Sequence, residues 1–174
     1  MIILIVVLVL VAVLFVNTYN NLVKAGNNVE EAESTMGVYL KKRRDLIPNI
    51  VETVKGYVSH EKETLEEIVK LRNSATGNID AENQISKGIS KIMALAEDYP
   101  ELKANENFKD LSAQLAKVEE EVAYARKYFN GTVKKYNNLV KSFPTTLIAR
   151  IFNYHPKEMF EVSSEDKENV EVKF

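Results

Sequence analysis

The chain has 174 residues with 23 basic and 25 acidic side chains, and its formal net charge is −2. Positive and negative residues are mixed along it, which argues against a nucleic-acid-binding protein, because such proteins concentrate positive charge on one face. It has no cysteine, which excludes disulfides and thiolate metal sites, and its few glycines and prolines indicate an all-α protein.

The chain opens with an uninterrupted apolar run. Residues 1–16 carry no polar or charged side chain. Each Leu, Ile, Phe or Val favours membrane insertion by roughly 0.3–0.6 kcal/mol, so the run favours it by about 4–8 kcal/mol. Sixteen helical residues cover roughly 24 Å, and extension through Tyr19 approaches the roughly 30 Å of a hydrocarbon core. We therefore predict a transmembrane anchor over residues 1–19, with the lipid bilayer as its partner.

A cleavable signal peptide is the alternative interpretation of this run. Such a peptide needs a basic segment before the apolar core and small residues at a cleavage site after it. No Lys or Arg precedes the run, and residues 15–18 read Phe-Val-Asn-Thr. We therefore expect an anchor that is not cleaved.

The distribution of positive charge predicts the orientation of the anchor. Lys24 and the basic residues 41–44 follow the apolar run, and no Lys or Arg comes before it. Basic residues close to a span favour the cytoplasmic side. We expect a single-pass protein of the bacterial cell membrane with its N-terminus outside and the rest of the chain in the cytoplasm.

A long helix is predicted after the anchor. Apolar residues recur at helical spacing from Leu22 to about Ala75, and a continuous helix of this length would extend roughly 80 Å. Pro48 lacks an amide hydrogen, so it should kink the helix or restart it with Asp45 as the N-cap. Gly77 suits the position just past the C-terminal end of this helix.

Two further helices follow in the predicted order. Asp80 suits the N-cap of a helix from Ala81 to about Asp98, and Pro100 ends it. Asn105 suits the N-cap of a third helix that runs to about Ser142. The third helix carries a heptad pattern of Phe108, Leu111, Leu115, Val118, Val122, Ala125, Phe129, Thr132, Tyr136 and Leu139.

A single helix with such an apolar stripe is not stable alone, so the helices must pack together. The predicted fold is all-α, with one transmembrane helix followed by a long up-and-down, antiparallel, coiled-coil-like bundle of three to four helices. We assign residues 20–152 to the bundle and residues 153–174 to a polar tail. The alternation in residues 170–174 suits either an added strand or an ordered end against the bundle.

One short sequence occurs twice. Residues 19–24 and residues 136–141 both read Tyr-Asn-Asn-Leu-Val-Lys. One match of six residues does not establish a repeat fold. It indicates a similar role for the two places, side by side near the membrane, whereas a simple up-down-up path would put the second copy far from the lipid. The sequence leaves these alternatives open.

Several segments together resemble the LemA family, in order and over nearly the whole chain. They are Tyr19–Val23, Leu40–Asn49, Val51–Tyr57, His60–Glu61, Tyr99–Phe108, Ala125–Arg126, Tyr128–Asn130 and the final Val172-Lys173-Phe174. The resemblance implies a bacterial membrane protein with a cytoplasmic up-and-down helical bundle. It implies no enzymatic chemistry.

No set of residues points to catalysis. A His-Glu metalloprotease motif at His60 needs a second histidine at position 64, which is Thr64. A di-iron bundle needs Glu three residues before His, but Tyr57 and Phe152 occupy those positions before the two histidines. We predict no catalytic, metal-binding or cofactor-binding residue and do not expect an enzyme.

Two segments are candidates for contact with partners or lipid. Residues 41–44 are four successive helical residues, so their side chains spread over about 300° of the helix surface and do not form one basic face. We expect them to form ion pairs with acidic neighbours, and partner binding is the alternative. The amphipathic residues 147–152 suit either the lipid interface or the open end of the bundle. The candidate contact residues are Lys41, Lys42, Arg43, Arg44, Leu147, Ile148, Ile151 and Phe152.

The leading hypothesis from the sequence is a non-enzymatic, membrane-tethered scaffold. Its bundle would present a charged surface to unidentified protein partners or, as a homo-oligomer, to further copies of itself. The alternative hypothesis is a membrane-remodelling or anionic-lipid-binding protein, in which the basic cluster and residues 147–152 contact the bilayer.

Overall fold

The computed structural model describes residues 1–58, 62–74 and 79–160, and within these ranges all regular structure is helical. This confirms the predicted all-α fold with one long apolar N-terminal helix. The helices of the described residues are α1 (Ile2–Lys55), α2 (Lys62–Ser74), α3 (Ile79–Asp98), α4 (Pro100–Ala104), α5 (Glu106–Lys141) and α6 (Thr145–Ile151).

Helix α1 contains both the apolar run and the first part of the bundle. It has 54 residues, which corresponds to roughly 81 Å. It continues through Pro48 and does not restart there. It ends at Lys55 and not near Ala75 as expected, because the chain turns at Gly56. At this turn the amides of Tyr57 and Val58 both donate to the carbonyl of Val54, at 2.9 and 3.1 Å.

The continuation of α1 through Pro48 has a local cause. Proline cannot donate to the carbonyl four residues earlier, which is that of Arg44. The side chain of Arg72 on α2 replaces this donor, with its Nε 3.0 Å from the Arg44 oxygen. The carbonyl that Pro48 leaves without a helical partner is therefore satisfied by a neighbouring helix.

The other helix ends lie close to their predicted positions. Helix α3 begins at Ile79, so Asp80 lies in its first turn and not at the cap, and α3 ends at Asp98 before Pro100. The amide of Phe108 donates to Oδ1 of Asn105 at 3.0 Å, which confirms Asn105 as the N-cap of α5.

The chain forms two compact units. One consists of residues 1–36 and 125–159, and the other of residues 37–124 and Phe160. We call them the anchor unit and the distal unit.

In the distal unit α1 and α5 run antiparallel. Lys42 of α1 pairs with Glu121 of α5, whereas Tyr57, at the other end of this part of α1, contacts Asn105. Helix α3 approaches α2 closely at Gly88, where a Cβ atom would lie 2.8 Å from Cγ1 of Ile68. The core of this unit includes Ile47, Ile50, Val51, Val54, Val58, Leu65, Ile68, Ala81, Ile85, Ile89, Ile92, Ala96, Leu102, Phe108 and Leu115.

In the anchor unit the first part of α1 packs against the last part of α5. A Cβ atom at Gly26 would lie 3.9 Å from the ring of Tyr136. The two copies of the repeated sequence therefore lie in the same unit, as the side-by-side alternative predicts. The buried side chains of this unit include Leu22, Val29, Ala32, Phe129, Val133, Tyr136, Val140, Ile148 and Ala149.

The buried positions of α5 follow the predicted heptad at first and then depart from it. Burial matches the prediction at Phe108, Leu115, Val122 and Phe129. In the last turns Tyr136 is buried as predicted, but Val133 and Val140 are buried instead of the expected Thr132 and Leu139, which lie one residue earlier and are partly exposed. An α-helix has about 3.6 residues per turn, so a strict heptad drifts by roughly 20° per repeat and the buried face moves on by one position.

The contact between Pro48 and Arg72 predicts a coupled effect on stability. Arg72→Met should lower the free energy of unfolding by about 1–2 kcal/mol, because the Arg44 carbonyl loses its donor. In a Pro48→Ala background the restored amide can donate to the same carbonyl, so the Arg72→Met cost should fall by roughly 1 kcal/mol. Urea unfolding of the full-length protein in detergent micelles, followed by circular dichroism, measures the four variants of this cycle. Strictly additive costs would contradict the assigned role of Arg72.

Candidate functional site

The structure places the four predicted basic residues in different environments. Nζ of Lys41 lies 2.6 Å from Oδ2 of Asp45, and Nζ of Lys42 lies 2.9 Å from Oε2 of Glu121. Both lysines are at least half exposed. The hydrogen bond from Lys41 lowers the pKa of the Asp45 carboxyl.

Arg43 lies inside the distal unit with no exposed surface. Its guanidinium donates to Oγ of Ser86 at 2.7 Å, to the carboxylate of Glu119 at 3.0 Å and to the carbonyl of Glu82 at 3.1 Å. It also pairs with the carboxylate of Glu82, which is 2% exposed. Arg44 contacts the second oxygen of the same carboxylate at 3.3 Å.

These contacts join three helices through one buried charge cluster. Ser86 donates to the remaining oxygen of Glu119 at 3.0 Å, so the carboxylate is held by both α1 and α3. The ion pairs expected for residues 41–44 are thus present. Contact of the four basic residues with a partner or with lipid stays a prediction, and Lys41 and Lys42 are the members of the set with the most exposed side chains.

The sequence carried a signal for this cluster that was missed. Arg43 occupies a position of the apolar stripe of α1, three residues after Leu40 and four before Ile47. Glu82 likewise occupies a stripe position of α3, three residues before Ile85. Opposite charges at interior positions of two helices predict a buried pair, because neither charge is tolerated there alone.

The segment around α6 is divided between buried and exposed residues. Ile148 is buried, as are Thr145 and Ala149 beside it. Leu147 and Ile151 are 52% and 70% exposed. The predicted contact residues 147–152 therefore form two faces, one packed in the anchor unit and one open.

Phe152 lies against the end of the apolar run. Its ring centroid is 4.7 Å from that of Tyr19 and 6.3 Å from that of Phe15, in tilted arrangements that favour contact between aromatic rings. This contact fixes the C-terminal end of α6 beside the last residues of the predicted anchor.

The chain leaves α6 through a Schellman turn. The amide of Tyr154 donates to the carbonyl of Ala149 at 2.8 Å, and the amide of Asn153 is 3.4 Å from the carbonyl of Arg150. Asn153 has a φ of 59°, a left-handed conformation that asparagine tolerates better than most residues. The turn ends α6 and directs the following residues along α5.

Both copies of the repeated sequence hold the segment that follows α6. Tyr136 donates to the carbonyl of His155 at 3.0 Å. The amide side chain of Asn137 makes two 2.8 Å hydrogen bonds to the backbone of Lys157. From the first copy, Tyr19 faces Tyr154, and burial together with the charge and hydrogen bond of Tyr19 raises the Tyr154 pKa.

The described part of the predicted polar tail, residues 153–160, is thus attached to the anchor unit through residues 153–157. Burial also raises the pKa of the Tyr136 phenol, in agreement with its position inside this unit. Lys157 adds a longer ion pair to Glu30 of α1, at 3.8 Å. The strand or ordered end expected for residues 170–174 lies outside the described residues.

His60 and Glu61, the pair considered for metal binding, also lie outside the described residues. His155 is exposed, and its Nε2 is 3.0 Å from Oδ1 of Asn153. Across residues 1–58, 62–74 and 79–160, no group of three His, Asp or Glu side chains is arranged to hold a metal ion.

The buried cluster makes a prediction about the cost of losing one charge. Arg43→Met should lower the free energy of unfolding by about 3–5 kcal/mol, because it leaves Glu82 buried without its main partner. Lys42→Met, one residue away and half exposed, is the matched control and should cost less than about 1 kcal/mol. Denaturant unfolding of the full-length protein in detergent measures both variants. Equal losses of unfolding free energy would contradict the prediction that Arg43 contributes more to stability than Lys42.

The two neighbouring asparagines of the second copy provide another matched pair. Asn137→Ala removes both hydrogen bonds to Lys157 and should cost about 1–2 kcal/mol, and it should speed amide exchange at Lys157. Asn138→Ala, on the exposed side of α5, should change stability by only a few tenths of a kcal/mol. Hydrogen exchange measured by mass spectrometry separates the two variants. Unchanged exchange at Lys157 in the Asn137 variant would contradict the attachment of this segment.

Helix α1 is the one helix of the described residues that is long and apolar enough to cross a membrane. The side chains of residues 1–16 are all exposed in the folded chain, so they are not the core of a soluble bundle. This exposure supports a membrane-associated protein.

Comparison with known proteins gives the family. The model of the LemA family matches residues 32–174. Protein LemA of Metamycoplasma hominis is 22% identical over 165 residues, which cover 91% of this chain and 75% of that protein.

Shorter similarities extend to two magnetosome proteins. Magnetosome protein MamQ of Magnetospirillum gryphiswaldense is 24% identical over 82 residues, which cover 47% of this chain and 30% of that protein. Magnetosome protein MamQ 2 of Paramagnetospirillum magneticum is 23% identical over 83 residues, which cover 48% of this chain and 30% of that protein. Because the family model matches well over half of the chain, this membrane-associated protein belongs to the LemA family.

Proposed function

We propose that this protein is a non-enzymatic, membrane-anchored scaffold that presents its helical bundle to cytoplasmic proteins or to further copies of itself. The observation that carries the proposal is the continuity of α1. Val16, at the end of the apolar run, is exposed, whereas Leu22 in the same helix is fully buried in the anchor unit.

This continuity determines how the anchor unit is attached. Six residues separate Val16 from Leu22, a distance of roughly 9 Å along a helix. A flexible linker would let a folded unit move freely above the bilayer, but helical residues fix its height and direction. A unit held at constant height is suited to positioning other molecules, which supports the scaffold.

The surface of the distal unit also supports protein contacts. Val38 and Tyr124 are 63% and 65% exposed, although large apolar and aromatic side chains are enriched at the centres of protein interfaces. The exposed bases Lys41 and Lys42 lie on the same unit.

Orientation in the bacterial cell membrane follows from the charges after the span. Lys24 and residues 41–44 support an N-terminus outside and a bundle in the cytoplasm, by the positive-inside rule. Membrane remodelling or binding to an anionic lipid surface is the second candidate function. The exposed apolar side chains of α6 favour it, and the similarity to magnetosome proteins is compatible with it.

A single-cysteine experiment tests the scaffold and its orientation together, because the chain has no native cysteine. Tyr124→Cys in full-length protein should resist a membrane-impermeant maleimide in intact cells and react after permeabilisation. A membrane-permeant bismaleimide should then link it into discrete adducts heavier than the monomer.

Val122→Cys is the matched control, since Val122 is on the same helix but 1% exposed. This variant should give neither labelling of the native protein nor adducts. Labelling of the Tyr124 variant from outside intact cells would overturn the orientation. A Tyr124 variant that stays monomeric with every crosslinker length would overturn the scaffold.

A further inference from the structure

We propose that α6 is a second membrane contact of this protein. Its exposed apolar side chains lie in the boundary between headgroups and acyl chains, in the leaflet where α1 leaves the bilayer, and anionic lipids strengthen the contact. The proposal deepens the second candidate function and rests on the proposed membrane anchor, but it does not depend on the scaffold function, because it concerns how the anchor unit meets lipid.

The first support is a set of exposed apolar side chains on α6 and at its two ends. We call it the α6 apolar face, and it consists of Leu147 and Ile151 on the helix, Phe143 before it and Phe152 at its C-cap, which are 52%, 70%, 80% and 46% exposed. Ile148 and Ala149 of the same helix are buried in the anchor unit. Helix α6 therefore keeps exposed apolar surface after its buried residues are packed. Such a surface favours contact with a non-aqueous environment.

The second support is the position of this face relative to the span. Phe152 belongs to the face, and its ring contacts Phe15 and Tyr19 at centroid distances of 6.3 and 4.7 Å. Phe15 is part of the apolar run, and Tyr19 is the last residue of the predicted anchor. The α6 apolar face therefore begins at the depth where α1 passes from hydrocarbon to headgroups, so the same bilayer is the occupant that this position favours.

The third support is a local excess of positive charge in residues 122–157, within a chain whose charges are otherwise mixed. Between Glu121 and Glu158 the sequence has no acidic residue, and no acidic residue occurs before Glu30. Residues 122–157 do contain the bases Arg126, Lys127, Lys134, Lys135, Lys141, Arg150 and Lys157. The segment thus carries positive charge in a chain whose formal net charge is −2.

Two of these bases lie close to the α6 apolar face in the sequence. Lys141 is two residues before Phe143, Arg150 is the neighbour of Ile151 on α6, and both bases are exposed. Attraction between exposed bases and anionic headgroups falls off within a Debye length of about 8 Å, so residues this close to the surface contribute most. An apolar face bordered by bases is the pattern of helices that lie in the interface of an anionic membrane.

The absence of native tryptophan gives a direct test in the full-length protein. Ile151→Trp places the fluorophore on the α6 apolar face at an exposed position. Tyr128→Trp is the control, because Tyr128 is a 56% exposed aromatic residue of the same unit. It lies eight residues before Tyr136 on α5, roughly 12 Å farther along the helix from α6.

Both variants are reconstituted into vesicles of phosphatidylcholine and phosphatidylglycerol that contain doxyl-labelled lipid with the spin label near the headgroup. We expect a blue-shifted emission and roughly three-fold or greater quenching for the Ile151 variant compared with the control. In phosphatidylcholine alone, quenching of the Ile151 variant should be smaller, because anionic headgroups are missing.

Equal doxyl quenching of the two tryptophans would overturn the proposal. The Ile151 variant could instead show a blue shift that depends on the protein-to-lipid ratio and no doxyl quenching. This result would assign the α6 apolar face to contact with a second copy of the chain and would also overturn the membrane proposal. Equal quenching of the Ile151 variant in the two lipid mixtures would overturn the role of anionic lipids. None of these three results affects the crosslinking test of the scaffold.

Discussion

The structure depends on one constraint, which is that water is a poor solvent for residues 1–16. Their side chains are exposed around the whole circumference of α1, which supports a membrane-associated protein. From Leu22 onward the same helix contributes buried side chains to the core of the anchor unit. Because no break separates the two parts, one continuous helix passes from the exposed apolar run into the protein interior, where α5 and α6 pack against it.

In the distal unit the corresponding constraint is the charge of Arg43. Its guanidinium has no access to water, and Glu82, Ser86 and Glu119 replace the lost hydration of its two terminal nitrogens, whereas its Nε has no hydrogen-bond partner among the described residues. Apolar packing alone tolerates a shift of one helix past another by a turn, because one branched side chain can substitute for the next. A buried arginine does not tolerate such a shift, since it would face apolar neighbours. The cluster therefore selects one register for α1, α3 and α5.

Much of this architecture could be predicted from local patterns in the sequence. The apolar run, the helix ends near Pro100 and the cap at Asn105 depend on neighbouring residues alone, and the structure confirms them. The end of α1 was missed because the apolar stripe continues past Gly56 into α2. The stripe positions of Arg43 and Glu82 indicated a buried pair, but the contact of Arg43 with Glu119 and the attachment of Lys157 to Asn137 could not be predicted, since each requires segments far apart in sequence to meet.

The contact between Arg72 and the Arg44 carbonyl has a consequence for the order in which the chain is built. The turn of α1 around Pro48 lacks one of its own hydrogen bonds, so it is the weakest turn of that helix until α2 arrives. Helix α2 is synthesised after α1. The turns of α1 before Pro48 can therefore form from their own hydrogen bonds, whereas the turn at Arg44 is completed only when α2 docks and Arg72 supplies the missing donor.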